Sequence, residues 1–309
     1  MAVTPTLIKE LREISGAGMM DCKNALTESD GNIEKAVELL REKGLAAAAK
    51  KAGRIASEGL VIAYIADDNA KGVVVEVNSE TDFVAKNQEF KTFVGQVAQQ
   101  AIVSNSVNID EFFTEKWLFG DPATVRDALN GKIAVIGENL NIRRFDKFEK
   151  QESGRLVSYI HGGGKVAVLI YLVSDATGDL LEEAGKNLCM QIAAMSPRFV
   201  SRKEISEEFI EKEKEILMQQ ALNEGKPANI AEKMVVGRLN KELKEFCLMD
   251  QEYVKNGDQT VSQYLDEVGK SLGASVTVKK FVRYETGEGL EKKEENFAEE
   301  VSKAMGAGN

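Results

Sequence analysis

The sequence predicts an α+β protein with four parts: a small N-terminal helical module, a duplicated core of strands and helices, an inserted antiparallel helical hairpin and a C-terminal helical module. Three observations carry this reading. Short apolar runs of β character, Val73 to Val77 and Val166 to Leu172, alternate with longer stretches of helical periodicity. The middle of the chain repeats its own pattern. Charge-rich helical sequence over 201–255 interrupts the second copy of that pattern. With 309 residues, the chain is long enough for a sizeable core and for more than one domain.

Composition excludes several classes of function. The net charge of −10 argues against nucleic acid as a direct partner, because phosphate binding needs a basic face. The three cysteines, Cys22, Cys189 and Cys247, form no C-x-x-C pair and show no zinc spacing. They are expected to be small buried hydrophobes in a reducing compartment. No apolar run reaches the roughly 18 residues of a membrane span, and the N-terminus lacks a signal-peptide core. A soluble, cytoplasmic protein with no membrane partner is the expectation.

Residues 1–54 read as three short helices and a linker. Leu7, Leu11 and Ile14 recur at helical spacing beside Ile8, after a Thr4-Pro5 start suited to a first turn. Gly16-Ala17-Gly18 breaks the pattern, and Asp21 is expected to cap a second helix holding Ala25 and Leu26. Asp30-Gly31-Asn32 forms the next turn. Ile33, Ala36, Val37 and Leu40 then mark a third helix closed by Gly44, with Leu45 to Ala56 as a helical or extended linker. So small a unit suits docking better than catalysis. Met19 and Met20 are adjacent in the first loop, so at least one is expected to be exposed as adaptable contact surface. Three helices with a Gly-Met first loop resemble the ubiquitin-associated fold.

The duplicated core spans 55–150 and, in its second copy, 151–200 with 256–285. Gly59 to Ile65 matches Gly154 to Ile160 in character, and each is followed by a second apolar run and a helix, roughly 82–103 and 177–195. Thr124-Val125 and Leu129 lead to Gly137-Glu138-Asn139, as Thr260-Val261 and Leu265 lead to Gly273-Ala274-Ser275, with the same Thr-to-Gly separation. The unit is therefore strand, strand, helix, helix, strand, with helices covering one sheet face. In the insertion, Ile205, Phe209, Ile216 and Leu217 precede a Gly225-Lys226-Pro227 break, and Ile230, Met234, Leu239, Leu243 and Phe246 follow it. This is an antiparallel hairpin whose apolar stripe needs a partner, which suggests a homodimer through 201–255. Residues 286–309 form the last module, with an amphipathic helix from Glu291 that contains Phe297 and Val301.

One stretch stands apart. Thr81-Asp82-Phe83-Val84 follows Asn78-Ser79-Glu80 at a strand-to-helix junction, where loops are exposed and carry function. Periodicity alone makes Phe83 core, on one face with Phe90, Val94, Val97 and Ala101, while Ser79 or Thr81 caps the helix and Asp82 complements its positive end.

Residues for chemistry are sparse. His161-Gly162-Gly163-Gly164-Lys165 joins two strands and lacks the P-loop spacing, so a hairpin turn explains it better than a phosphate cradle. His161 is the sole histidine and has no local nucleophile motif. No catalytic residue, metal ligand or cofactor is assigned, and a protein that acts by binding is the better class.

Leu11-Arg12-Glu13 with Gly16 to Lys23, then Thr81-Asp82-Phe83-Val84, then Ser158-Tyr159-Ile160-His161, closely resemble bacterial translation elongation factor Ts. The resemblance spans the whole chain. It implies a guanine-nucleotide exchange factor that binds elongation factor Tu, GDP-bound and nucleotide-free, and releases its GDP. It further implies that Thr81, Asp82, Phe83 and Val84 form a partner-binding wedge, with Asp82 and Phe83 pressing on the partner near its magnesium and nucleotide site. Arg12, Met19, Met20 and Lys23 would meet a helix of the partner's GTP-binding domain, and His161 would correspond to a histidine in the same contact region. The family's Val-Met contact pair appears here as Val254-Lys255. If Phe83 is a wedge, the helix following it must break near Lys86-Asn87-Gln88 to free it from the Phe90 face. The competing class is a scaffold or adaptor that docks through the ubiquitin-associated-like module.

Overall fold

The computed structural model describes residues 3–15, 17–106 and 108–292. Gly16 and the part of the expected C-terminal helix that holds Phe297 and Val301 lie outside the described residues. In chain order the elements begin with α1 (Pro5–Ser15), α2 (Met19–Glu28), α3 (Ile33–Lys51), β1 (Glu58–Ile65), β2 (Lys71–Ser79), α4 (Asp82–Lys86) and α5 (Gln88–Val103). There follow α6 (Ile109–Thr114), α7 (Val125–Ile136), β3 (Leu140–Glu149), β4 (Gly154–His161), β5 (Val166–Val173) and α8 (Asp179–Met195). The chain continues with α9 (Glu207–Asn223), α10 (Ala228–Phe246), β6 (Glu252–Tyr253), β7 (Asn256–Thr260), α11 (Val261–Leu272) and β8 (Thr277–Glu285). The sheets are small, ordered β1-β2-β3, β4-β5-β8 and β6-β7, and the fold is α+β. Contacts divide the chain into two units: Met1–Ile62 with Val75–Phe145 and Glu285–Asn309, and Ala63–Val74 with Asp146–Tyr284.

In the first unit, α1 to α3 close on Leu11, Cys22, Ala25, Leu26 and Ala36. Two local expectations are corrected. Helix α2 begins at Met19 after an extended Gly18, so Asp21 sits in the first turn and faces the positive end of the helix dipole instead of capping it. Gly44 does not end the third helix. It is buried inside α3, and the sequence after it, Leu45-Ala46-Ala47-Ala48-Ala49, favours helix strongly enough to carry the element on to Lys51. The lack of a side chain at Gly44 serves packing, since a Cβ there would lie 3.7 Å from the Ala134 Cβ on α7. An Arg41–Asp127 ion pair of 2.5 Å closes the same α3–α7 seam.

The two copies of the repeat keep matching details that their sequences only hinted at. Thr124 and Thr260 each form a capping box, with Asp127 and Gln263, and Gly137 and Gly273 each end the helix in the left-handed region. Gly59 and Gly154 have φ of 127° and 154°, and a Cβ on either would meet a partner-strand carbonyl oxygen at 2.2 or 2.0 Å. Only glycine fits there.

The second unit packs α8 and α11 over one face of β4 and β5, which pair antiparallel. Val157, Val168, Ile170, Leu172, Leu188, Ile192 and Leu265 share that core with Leu248 and Tyr253, which follow the hairpin. Within the hairpin, Leu217 of α9 packs with Val235, Leu239 and Leu243 of α10. The apolar stripe that seemed to need a second chain therefore finds most of its partner in the adjoining helix. Ile216, Leu222, Ile230 and Val236 remain exposed.

Glu76 on β2 is fully buried and accepts from four residues. Arg144 Nε donates to it at 2.6 Å, the Gly287 amide at 2.8 Å, and Asn78 Nδ2 and Arg143 Nη1 at 3.0 Å each. Burial works to raise its pKa, but the hydrogen bonds from Gly287, Asn78 and Arg144 and the Arg144 charge outweigh it and hold the pKa below the ordinary carboxylate value. Because the folded pKa lies below the unfolded one, this stabilisation is complete above the unfolded pKa and is lost as pH falls through the folded value. Urea unfolding should show Glu76→Gln with a weaker loss of stability below about pH 4.3 than the native chain. Glu76→Ala should cost about 3 kcal/mol at neutral pH, the lower end for a broken buried pair because both arginines are partly exposed.

Candidate functional site

The strand-to-helix junction after β2 is built to hold one aromatic side chain in solvent. Thr81 is the N-cap of α4, and its Oγ1 accepts from the Val84 amide at 3.4 Å. That short helix ends at Lys86. Asn87 then takes extended backbone (φ −68°, ψ 133°) and caps α5, its Oδ1 accepting from the Glu89 amide at 2.7 Å. The continuous helix that periodicity suggested is therefore two helices with the break at Asn87, as the wedge reading required. The consequence is a change of face. Phe90, Phe93, Val94, Val97 and Ala101 are buried along α5, whereas Phe83 is 79% exposed.

Each residue of the stretch has a distinct place. Val84 belongs to the expected wedge, but it is only 9% exposed and, with buried Ala85, anchors the turn to the core. Asp82 pairs with Lys86 at 2.6 Å, and the Lys86 ammonium stands 5.7 Å from the centre of the Phe83 ring. The base of the turn is cross-tied to the loop entering β3. Glu138 accepts from the Thr81 amide at 3.0 Å and from Thr81 Oγ1 at 2.7 Å, while Glu80 accepts from the Asn139 amide at 2.6 Å. Glu138 and Asn139 were not singled out from the sequence. Their spacing from Gly137 was visible, but nothing local joins them to residues 80 and 81.

Also in the first unit, Met19 and Met20 open α2 and are 60% and 64% exposed. They lie in a first helical turn and not in a loop, and both face solvent. Arg12 and Lys23 are exposed on α1 and α2.

In the second unit, His161 ends β4 and is exposed, with its Nδ1 2.9 Å from the Tyr159 hydroxyl. The following Gly162, Gly163 and Gly164 all have positive φ, which makes the segment the hairpin turn expected. Val254 lies in the β6–β7 turn and is 48% exposed. Its amide donates to the buried Gln191 Oε1 at 2.8 Å, and Lys255 Nζ turns back to Asn187 Oδ1 at 2.6 Å. Lys255, exposed on the turn, thus has one acceptor for its ammonium within its own unit.

Among the described residues no helix is long and apolar enough to cross a membrane, and all three cysteines are buried and free.

Comparison with known proteins places an α+β chain of this kind among the translation elongation factors. It is 55% identical to an elongation factor Ts of Clostridium perfringens (strain SM101 / Type A) over 98% of this chain and 99% of the relative. It is 54% identical to those of Clostridium botulinum (strain Eklund 17B / Type B), over 97% of this chain and 98% of the relative, and Clostridioides difficile (strain 630), over 98% and 99%. The family model described as Elongation factor TS matches residues 80–288, and the chain belongs to that family.

If Phe83 is held out by its neighbours and contributes little to the core, truncating it should leave the fold intact. Phe83→Ala should shift unfolding free energy by less than about 0.5 kcal/mol. Phe90→Ala, only seven residues on by sequence, should cost about 3–5 kcal/mol. Parallel denaturant melts compare the two.

Proposed function

We propose that this chain is the guanine-nucleotide exchange factor for elongation factor Tu. In this reading it binds the partner in its GDP-bound and nucleotide-free forms and promotes GDP release by disturbing the magnesium and nucleotide site. It acts in the cytoplasm during translation elongation and performs no covalent chemistry of its own. Family membership supports the reading, and the single observation that carries it is the exposed Phe83 ring on a capped, cross-tied turn.

The energetics favour a distributed footprint. Exchange factor and nucleotide weaken each other's binding by the same factor. Reversing a strongly GDP-biased population takes about a 10⁴-fold shift, or about 5.5 kcal/mol. One buried phenylalanine supplies about 1.5–3 kcal/mol. The remainder is assigned to Arg12, Met19, Met20 and Lys23 on the ubiquitin-associated-like module, and to His161 and Val254 on the second copy of the core. Asp82 adds negative charge near the partner's phosphates and magnesium once its pairing with Lys86 is broken. The inserted hairpin is a coiled coil that joins two copies of the chain through the exposed Ile216, Leu222, Ile230 and Val236.

Release of fluorescent GDP from purified elongation factor Tu tests this. The native chain should accelerate release strongly, and Phe83→Ala should lose about tenfold to a hundredfold of that acceleration. Binding without acceleration by the native chain would instead support an adaptor that docks through its N-terminal module. Sedimentation over a range of concentrations reads the dimer, which Ile230→Glu with Val236→Glu should dissociate.

A further inference from the structure

We infer that Glu138 is the positioning residue for the Phe83 wedge, an inference that rests on the exchange-factor reading above. Its half-buried carboxylate takes both donors that Thr81 offers, the amide at 3.0 Å and Oγ1 at 2.7 Å. With the hydroxyl proton given to Glu138, the lone pairs of Oγ1 are left for the Val84 amide. Glu138 therefore orients the cap that starts α4, and α4 sets the direction of Phe83. Glu80 and the Asn139 amide, at 2.6 Å, return the tie in the opposite sense. The Ser79 hydroxyl, donating to the Thr81 carbonyl at 3.0 Å, fixes the remaining backbone group.

The second copy of the repeat serves as an internal control. There the same capping box and left-handed glycine end α11, yet Gly273 is followed by Ala274 and Ser275 in place of Glu138 and Asn139. The strand after it, β8, forms without a carboxylate at that place. That copy also lacks the short extra helix, since α8 starts directly at Asp179 after Gly178. The carboxylate thus accompanies the exposed turn and is not required by the unit that carries it.

The test is GDP release from elongation factor Tu over a titration of the full chain. Glu138→Ala should lower the saturating release rate about tenfold to a hundredfold while leaving the half-saturating concentration unchanged, because the wedge is misdirected but docking is intact. On a Phe83→Ala background the same change should have no further effect. Glu138→Gln, which keeps an acceptor for the Thr81 amide, should recover part of the rate, and it carries the same tests should the alanine variant not fold. A native rate in Glu138→Ala, or an equal further loss on the Phe83→Ala background, would overturn the assignment. Amide exchange at Val84 gives a partner-free reading. Faster exchange in the variant supports the tie even if the native chain releases no GDP and the exchange reading fails, whereas unchanged protection overturns the tie itself.

Discussion

An aromatic ring kept in water must be held there by something other than its own burial. Leaving Phe83 exposed forgoes about 1.5–3 kcal/mol that a core position would have given. The chain offsets this locally. Val84 and Ala85 go inward where Phe83 does not, and Thr81, Glu138, Glu80 and Asn139 satisfy one another's polar groups across the base of the turn. The break at Asn87 is the other half of the arrangement. A helix continuing from Asp82 would carry Phe83 onto the face of Phe90 and Val94, where hydrophobic burial would take it. Asn87 stops this by capping a new helix, so the two residues lie on separately directed elements.

The continuous run of α3 changes how the N-terminal contacts can work. A linker starting at Leu45 would have made the module a tethered dock, with Met19 and Met20 free to sample many positions. In the structure α3 passes through Gly44 to Lys51, and its buried glycine and the Arg41–Asp127 pair seat it on α7. Asp127 is at the same time the capping-box residue of α7, and α7 ends at Gly137, one residue before Glu138. The surface around Met19 and Met20 and the turn bearing Phe83 thus belong to one unit, joined through packed helices. Such preorganisation lowers the ordering cost of engaging both at once.

Much of this was legible in the sequence because it follows from local rules. Short apolar runs marked β1, β2, β4 and β5, the Thr-to-Gly spacing marked α7 and α11, and Gly225-Lys226-Pro227 marked the turn between α9 and α10. What was missed depended on contacts distant in sequence or on competition between local signals. Gly44 reads as a stop until α7 is there to fill the space beside it. Asp21 and Gly18 are both acceptable caps, and backbone geometry chose Gly18. The hairpin stripe appeared to lack a partner because periodicity does not show which residues of α9 will face Leu239 and Leu243. The site divides the same way. Asp82, Phe83, Met19 and Met20 stood out by type and position, whereas Glu138 acts on residue 81 from more than fifty positions away and has no local signature.

The β6–β7 turn shows how a lysine is held by its own unit at a position where the resemblance implies an apolar side chain. A lysine in place of an apolar contact would bring an ammonium into an interface, where an unpaired buried charge is costly. Here Lys255 bends back to Asn187, which also donates to the Tyr264 hydroxyl, and Tyr264 stacks on Tyr253 at 4.2 Å. Gln191 meanwhile holds the Val254 amide and reaches the Glu252 carbonyl. The turn is fixed by buried amides on α8 on either side of the lysine. Lys255 itself stays exposed beside the exposed Val254 side chain. Asn187 thus supplies one acceptor for the Lys255 ammonium, which has three donors, so the lysine is oriented within its own unit rather than neutralised.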